Sequence, residues 1–91
     1  MTRTEYDASA AMTVTVLLFA AYADALGSPS IDVELPEDAT VGDVLAEVRR
    51  RPGAHRLPPS PLVAVNQRYA RADLAVRRGD EVAMIPPVAG G

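Results

Sequence analysis

The residues with the clearest chemical potential lie at the C-terminal end, where the chain reads Pro-Pro-Val-Ala-Gly-Gly. Gly90 and Gly91 have no Cβ atom, so they can lie extended in a narrow slot and let a partner's reactive atoms approach closely. Pro86 and Pro87 hold the backbone extended and cannot donate to a sheet ladder, so we expect the tail to project away from the domain. The group presented is then the C-terminal carboxylate. The predicted site comprises the carboxylate of Gly91 and the tail residues Pro86, Pro87, Val88, Ala89 and Gly90.

Composition excludes most other side-chain chemistry. The chain has no cysteine, so it offers no thiol nucleophile and no cysteine-ligated metal. All nine basic residues are arginine, so no side-chain amine can form a Schiff base or accept an isopeptide bond. His55 is the only histidine, which is too few for a metal pair, and no phosphate-binding glycine loop is present. We therefore predict no metal, no cofactor and no catalytic centre within this chain.

The overall charge and the length bound the class of protein. A net charge of -3 argues against a nucleic-acid binder, and the basic run at 49–51 is expected to complement the end of a helix. The longest apolar stretch, 14–23, is too short to span a bilayer, which needs about 20 residues. We expect one domain without a membrane segment, located in the cytoplasm, and a disordered extension over residues 1–12.

Apolar periodicity predicts the elements that must carry this tail. Residues 13–20 are rich in β-branched residues and 30–35 alternate between apolar and polar, as paired strands do. Thr40 precedes an i, i+3, i+4, i+7 apolar stripe, and Asp43 lies three residues after it as in a capping box, which predicts a helix over 41–50. Two further strands are predicted at 62–65 and 81–85, and a minor strand or helical turn is predicted at 73–76.

This order of elements indicates an α+β fold. Two strands, a helix and two more strands in 91 residues are typical of the β-grasp, or ubiquitin-like, arrangement, a mixed sheet with one main packed helix. The domain is predicted to cover residues 13–85, with the extended tail at 86–91.

Strand parity separates a core face from an outer face. Successive side chains point to opposite sides, so Val14, Val16 and Leu18 are predicted in the core with Val82 and Met84. The opposite face carries hydroxyl and charged residues, yet it also carries apolar groups close to the tail. An exposed apolar cluster of this kind usually marks a partner surface, although a loop or the N-terminal extension could cover it. The residues predicted to form this interface are Leu17, Phe19, Ala83 and Ile85.

Two stretches resemble a known family. The segment AVNQRYARADLAVRRGDEVAMIPPVAGG, at 64–91, and VTVLLFAAYADALG, at 14–27, are similar to the MoaD type within the MoaD/ThiS family of sulfur carriers. The segment GDEVAMIPPVAGG is much more specific than Gly-Gly alone. Residues 1–12 and the proline-rich loop at 58–61 lie outside the pattern.

The resemblance implies a function. A ubiquitin-activating-like adenylyltransferase would adenylate the carboxylate of Gly91 with its own ATP and magnesium, and a persulfide donor would convert that group into a thiocarboxylate. The tail would then enter the large subunit of molybdopterin synthase, where its sulfur passes to a pyranopterin precursor. By the same resemblance, Phe19, Tyr69 and Ile85 match positions that contact the large subunit or the activating enzyme.

Two alternatives stay open. A related carrier could deliver sulfur to the synthesis of thiamine, cysteine or thiolated transfer RNA. A ubiquitin-like modifier could instead be joined through Gly91 to lysines of target proteins. The absence of lysine forbids chains built on this protein but does not forbid single conjugation.

Overall fold

The sheet of this protein is mixed and contains five strands. A computed structural model describes residues 11–58 and 61–86, and in these residues the strands lie in the order β2-β1-β5-β3-β4. The first and last strands pair in parallel at the centre of the sheet, while the other neighbours pair antiparallel. This confirms the predicted β-grasp fold with its packed helix. The elements in chain order are β1 (Ala11–Leu18), α1 (Ala21–Leu26), β2 (Ser30–Pro36), α2 (Val41–Val48), a 3-10 turn (Ala54–Arg56), β3 (Leu62–Val65), β4 (Arg68–Tyr69) and β5 (Val82–Ile85).

Several boundaries differ from the sequence-based expectation. Strand β1 begins at Ala11, and Met12 is 2% exposed, so the folded part starts two residues before the predicted boundary. The predicted disordered extension over residues 1–12 was wrong for residues 11 and 12, which belong to β1, and its residues 1–10 lie outside the described residues. The connection between β1 and β2 contains the short helix α1, which the sequence analysis did not predict. Helix α2 ends at Val48, before the run of arginines, because Arg49 is its C-cap.

The N-terminus of α2 is fixed by side-chain and backbone partners. The Thr40 hydroxyl accepts from the Asp43 backbone N–H at 3.4 Å, and the Asp43 carboxylate accepts from the Thr40 N–H at 2.9 Å. This reciprocal capping box satisfies donors that a helix start otherwise leaves free. The N–H groups of Val41 and Gly42 donate to carbonyl groups of Leu74 and Ala72 at 2.9 Å. The segment predicted as a minor strand or turn at 73–76 is therefore a strap across this helix start, with a single β-bridge at Ala75.

The core lies between one face of the sheet and the helices. The predicted core residues of β1 and β5 are buried, which confirms the strand parity, and Val44 and Val48 of α2 pack onto them. Tyr22 of α1 is also completely buried. Its hydroxyl finds no hydrogen-bond partner within the part of the chain that the structure describes, and burial raises the pKa of this phenol.

Within residues 11–58 and 61–86, no helix is long and apolar enough to cross a membrane. The same residues contain no cluster of three or more metal-ligating side chains.

Candidate interaction site at the outer face

One row of side chains crosses four strands on the outer face of the sheet. Leu17 of β1 pairs with Ala83 of β5, Ala83 pairs with Ala64 of β3, and Ala64 pairs with Tyr69 of β4. Neighbouring strands lie about 4.8 Å apart, so this row spans about 14 Å. Two large side chains therefore stand at the ends of the row, and two alanines lie between them.

The row is part of a groove of about 480 Å³. Phe19 is 48% exposed and Tyr69 is 70% exposed, so the described part of the chain leaves both rings in contact with solvent. An exposed apolar groove with a polar edge is typical of a partner surface. The residues that line it are Leu17, Phe19, Ala64, Gln67, Tyr69, Glu81, Ala83 and Ile85.

The groove brings together every residue of the predicted interface. Strand parity placed Ala83 on the correct face, but the expectation that this alanine is exposed was wrong, because Ala83 is only 9% exposed. The larger neighbouring side chains shield the methyl group of Ala83 from solvent. Ala83 and Ala64, which is 6% exposed, therefore form the floor of the groove. The sequence analysis missed Ala64, Gln67 and Glu81. Their place in the groove depends on β5 lying between β1 and β3, which no local pattern reveals.

A tight turn holds Phe19 at the wall of the groove. Its N–H donates to the Met84 carbonyl at 3.2 Å, and its carbonyl accepts from the Tyr22 N–H at 3.0 Å. Ala20 lies within this turn at φ 52° and ψ -123°, a conformation that favours glycine. The hydrogen bonds of this turn therefore fix the backbone position of Phe19.

A second turn positions Tyr69. Asn66 and Gln67 both have positive φ and join β3 to β4, as in a two-residue hairpin turn. The Asn66 side chain donates to the Asp80 carboxylate at 3.0 Å and accepts from the Glu81 N–H at 3.0 Å. Asp80 also accepts from the Arg77 N–H at 2.8 Å, and these hydrogen bonds lower the pKa of Asp80. Asn66 thus connects the hairpin that carries Tyr69 to the start of β5.

The last described residues of the chain lie beside this groove. Strand β5 ends at Ile85, which lines the groove, and Pro86 follows it half-buried. The predicted tail residues Pro87, Val88, Ala89, Gly90 and Gly91 lie outside the described residues. A partner that fills the groove would therefore meet the chain immediately before its tail.

Few polar side chains line the groove among the residues that the structure describes. Its polar side chains are those of Gln67, Tyr69 and Glu81, and no histidine lies among the residues that line it. His55 is exposed in the 3-10 turn and is not among the residues that line the groove. Two exposed aromatic rings above an alanine floor are typical of a surface that holds another protein.

Known proteins share this sequence and fold. A profile of the ThiS family matches residues 16–91. The molybdopterin synthase sulfur carrier subunit of Arabidopsis thaliana is 30% identical over 92 residues, which cover 100% of this chain and 96% of the relative. The small archaeal modifier protein 1 of Haloferax volcanii is 36% identical over 86 residues, covering 81% and 95% of the two chains. The solved structure of a putative molybdopterin converting factor, subunit 1, from Pyrococcus furiosus has a TM-score of 0.75 at 30% identity and covers 85% of this chain and 99% of that one.

Proposed function

The chain belongs to the ThiS family, and on that premise we propose that it is the sulfur-carrier subunit of a molybdopterin synthase. In this proposal it donates sulfur from a thiocarboxylate on Gly91 to a pyranopterin precursor. The observation that carries the proposal is the similarity, over the whole chain, to the plant sulfur carrier subunit. The chain acts as a carrier and co-substrate, and the catalytic groups belong to its partners.

The position of the groove supports this role. A carrier must deliver one small group into another protein's active site, and the reaction gains rate when the group is held in place rather than diffusing. The groove ends at Ile85, and the tail begins at Pro86. Docking of Phe19 and Tyr69 on the large synthase subunit would therefore set the place from which the tail reaches out.

Activation of the carboxylate follows from elementary chemistry. A carboxylate is a poor electrophile because its leaving group would be oxide, so a carboxylate oxygen of Gly91 first attacks the α-phosphorus of ATP and releases pyrophosphate. A persulfide sulfur then adds to the acyl carbon and AMP leaves, which divides one difficult displacement into two easier ones. A thiol finally breaks the sulfur–sulfur bond and leaves the thiocarboxylate. ATP and magnesium are held by the adenylyltransferase, and the persulfide belongs to a separate donor. Because this step consumes ATP, we place the protein in the cytoplasm.

A second candidate function is protein modification. The similarity to the archaeal modifier favours it, because that relative is 36% identical and is matched over most of its length. The activated Gly91 would then acylate an amine of a target protein. A carrier for thiamine, cysteine or transfer RNA synthesis would use the same activated tail, and the acceptor alone would distinguish it.

Mass spectrometry tests the activation step directly. The intact protein is incubated with its adenylyltransferase, ATP, magnesium and a persulfide donor, and the fragments are sequenced by mass. We expect one oxygen to be replaced by sulfur at Gly91, and no change in a chain from which Gly91 is deleted. Sulfur uptake by the deleted chain would contradict the proposal. Amide adducts on many lysine-containing proteins, without transfer to the large synthase subunit, would favour the modifier.

A pair of charge substitutions tests the interface. Phe19→Glu places a carboxylate in the groove. Leu74→Glu is the control, because Leu74 is another large apolar residue, 44% exposed, that does not line the groove. Loss of a central aromatic contact costs about 2 to 4 kcal/mol in typical interfaces. We expect Phe19→Glu to weaken binding to the large subunit at least about thirtyfold and Leu74→Glu to leave it unchanged. Equal affinity of both folded variants would contradict the assignment.

A further inference from the structure

We propose that the groove receives one bulky apolar side chain of the partner on its alanine floor, with a cationic side chain of the same partner facing Glu81. The inference rests on the proposed function, because it concerns the surface that the carrier would dock. It adds the chemistry that the partner must present. That partner is a protein segment in which an apolar side chain and an arginine or lysine lie side by side.

The floor accounts for the apolar half of this requirement. Ala64 and Ala83 are paired across β3 and β5, at sheet positions where β-branched or aromatic residues are usual. A β-branched or aromatic residue at either position would raise the floor of the groove towards the level of Leu17 and Tyr69 and remove the depression. Two alanines between larger walls leave a hole that a flat partner surface could not fill. Filling it requires a projecting side chain, and the apolar walls favour an apolar one.

Glu81 accounts for the charged half. Its backbone is fixed by Asn66, which donates to the Glu81 carbonyl at 2.8 Å and accepts from the Glu81 N–H at 3.0 Å. Its exposed carboxylate forms no ion pair with any residue in 11–58 or 61–86. A carboxylate held at the edge of an apolar groove favours a cation on the partner, because complementary charge steers encounter and sets the register of docking.

The neighbouring surface strengthens the same preference. A second depression of about 300 Å³ shares Leu17 and Glu81 with the groove and adds the Asp80 carboxylate and two threonines. No arginine lines either depression within the described residues. Arg78, on the adjacent turn, is directed away from them, because it pairs with Glu37 and donates to the Ala11 carbonyl at 2.9 Å. A third depression shares Tyr69 with the groove and is lined by Arg68 and Arg77. The surface of negative charge therefore lies on the Leu17 and Glu81 side of the hole, and that is the side on which the partner's cation is expected.

The test measures binding of the full chain to the large molybdopterin synthase subunit of the same organism, by calorimetry at low and at high salt. Ala83→Leu and, separately, Ala64→Leu fill the floor, and Glu81→Gln removes the charge at nearly constant shape. Glu34→Gln is the matched control, because Glu34 is an exposed carboxylate on β2 that lines neither depression. Circular dichroism first establishes that each variant is folded.

We expect each leucine variant to weaken binding at least about tenfold, as loss of a well-packed contact does. Glu81→Gln should weaken it about threefold to tenfold and reduce its salt dependence, while Glu34→Gln should change little. Wild-type affinity in a folded leucine variant, or equal effects of Glu81→Gln and Glu34→Gln, would overturn the inference.

If these variants keep wild-type affinity for the large subunit and still transfer sulfur, only the inference fails and the proposed function stands. A wild-type chain that neither takes up sulfur nor binds this subunit would overturn the proposed function and the inference together. Self-association that is lost in the leucine variants would overturn the choice of occupant in favour of a second copy.

Discussion

The two faces of the sheet are built from the same strands but are completed in different ways. On the inner face, valines of β1 and β5 are covered by Tyr22 of α1 and by helix α2, and the core contains no buried charged residue among the described residues. On the outer face, no helix within residues 11–58 and 61–86 covers the strands, and the apolar residues there surround a groove whose aromatic rings are exposed. The contrast separates two uses of apolar surface. The inner face stabilises the domain, and we propose that the outer face binds a partner.

The strongest test of this contrast compares Met84 with Phe19. Met84 is buried on the inner face, so Met84→Ala should lower the free energy of unfolding by about 2 to 5 kcal/mol. Phe19→Ala removes a half-exposed ring from the outer face and should cost less than about 1.5 kcal/mol of stability while weakening partner binding. Urea unfolding and calorimetric binding on both variants measure the two effects. A destabilisation by Phe19→Ala as large as that by Met84→Ala would show that the outer face also holds the fold together.

The helical cover of the inner face can be tested at Gly53. A Cβ atom there would lie 2.3 Å from the Ala25 carbonyl oxygen of α1, and the residue has φ 90°. We expect Gly53→Ala to destabilise the protein by about 2 to 4 kcal/mol, as unrelieved overpacking and left-handed strain do. Gly79→Ala is the control, because Gly79 has φ 83° with no atom within 4 Å of the added carbon, and it should cost about 1 kcal/mol. Equal decreases in the melting temperature of Gly53→Ala and Gly79→Ala would show that the positive φ alone, and not contact with α1, requires glycine at position 53.

The edge of the outer face should depend on pH through Asp80. Because its pKa is lowered in the folded protein, the carboxylate stabilises the fold above its ordinary value of about 3.9, and this stabilisation is lost as the pH falls through the lower folded value. Asp80→Asn should therefore be less stable than the wild type at pH 7, with the difference shrinking below about pH 4. Thermal unfolding between pH 2.5 and 7 measures the difference. A gap that stays constant with pH would rule out the carboxylate charge as its source.

The smallest effect is expected at Tyr22. Its buried hydroxyl has no partner among the described residues, so Tyr22→Phe removes a polar atom without breaking a hydrogen bond there. The free energy of unfolding should change by less than about 1 kcal/mol, in the direction of greater stability. Chemical unfolding of the two proteins decides this. A loss of more than that amount would reveal a partner for the hydroxyl outside the described residues.

Periodicity was sufficient to predict the inner face and part of the outer one. Alternation in 13–20 and 81–85 placed Val16 and Met84 in the core and Leu17 and Ile85 opposite them, because parity depends only on position along a strand. The capping box at Thr40 was likewise local and was predicted. These features need no knowledge of which strands are neighbours.

The remaining features depend on tertiary structure or on weak local signals. Helix α1 was missed because it has six residues and no capping side chain at Ala20. Tyr69 was assigned by resemblance alone, and strand β4, which carries it, has only two residues. The floor of the groove was missed because an alanine in a strand carries no signal of its own, and Ala64 meets Ala83 only through the sheet order.

The parallel pairing of β1 with β5 has a consequence for how the chain folds. Val16 pairs with Val82, a separation of 66 residues, so the central ladder of the sheet cannot close until the end of the domain has been synthesised. Contacts at such long separation slow folding, because the entropy of closing the loop is lost before the contact stabilises it. A chain released from the ribosome before Val82 would lack its central strand. It would remain unfolded, and so it would present neither the groove nor a competing surface to the partners of the complete protein.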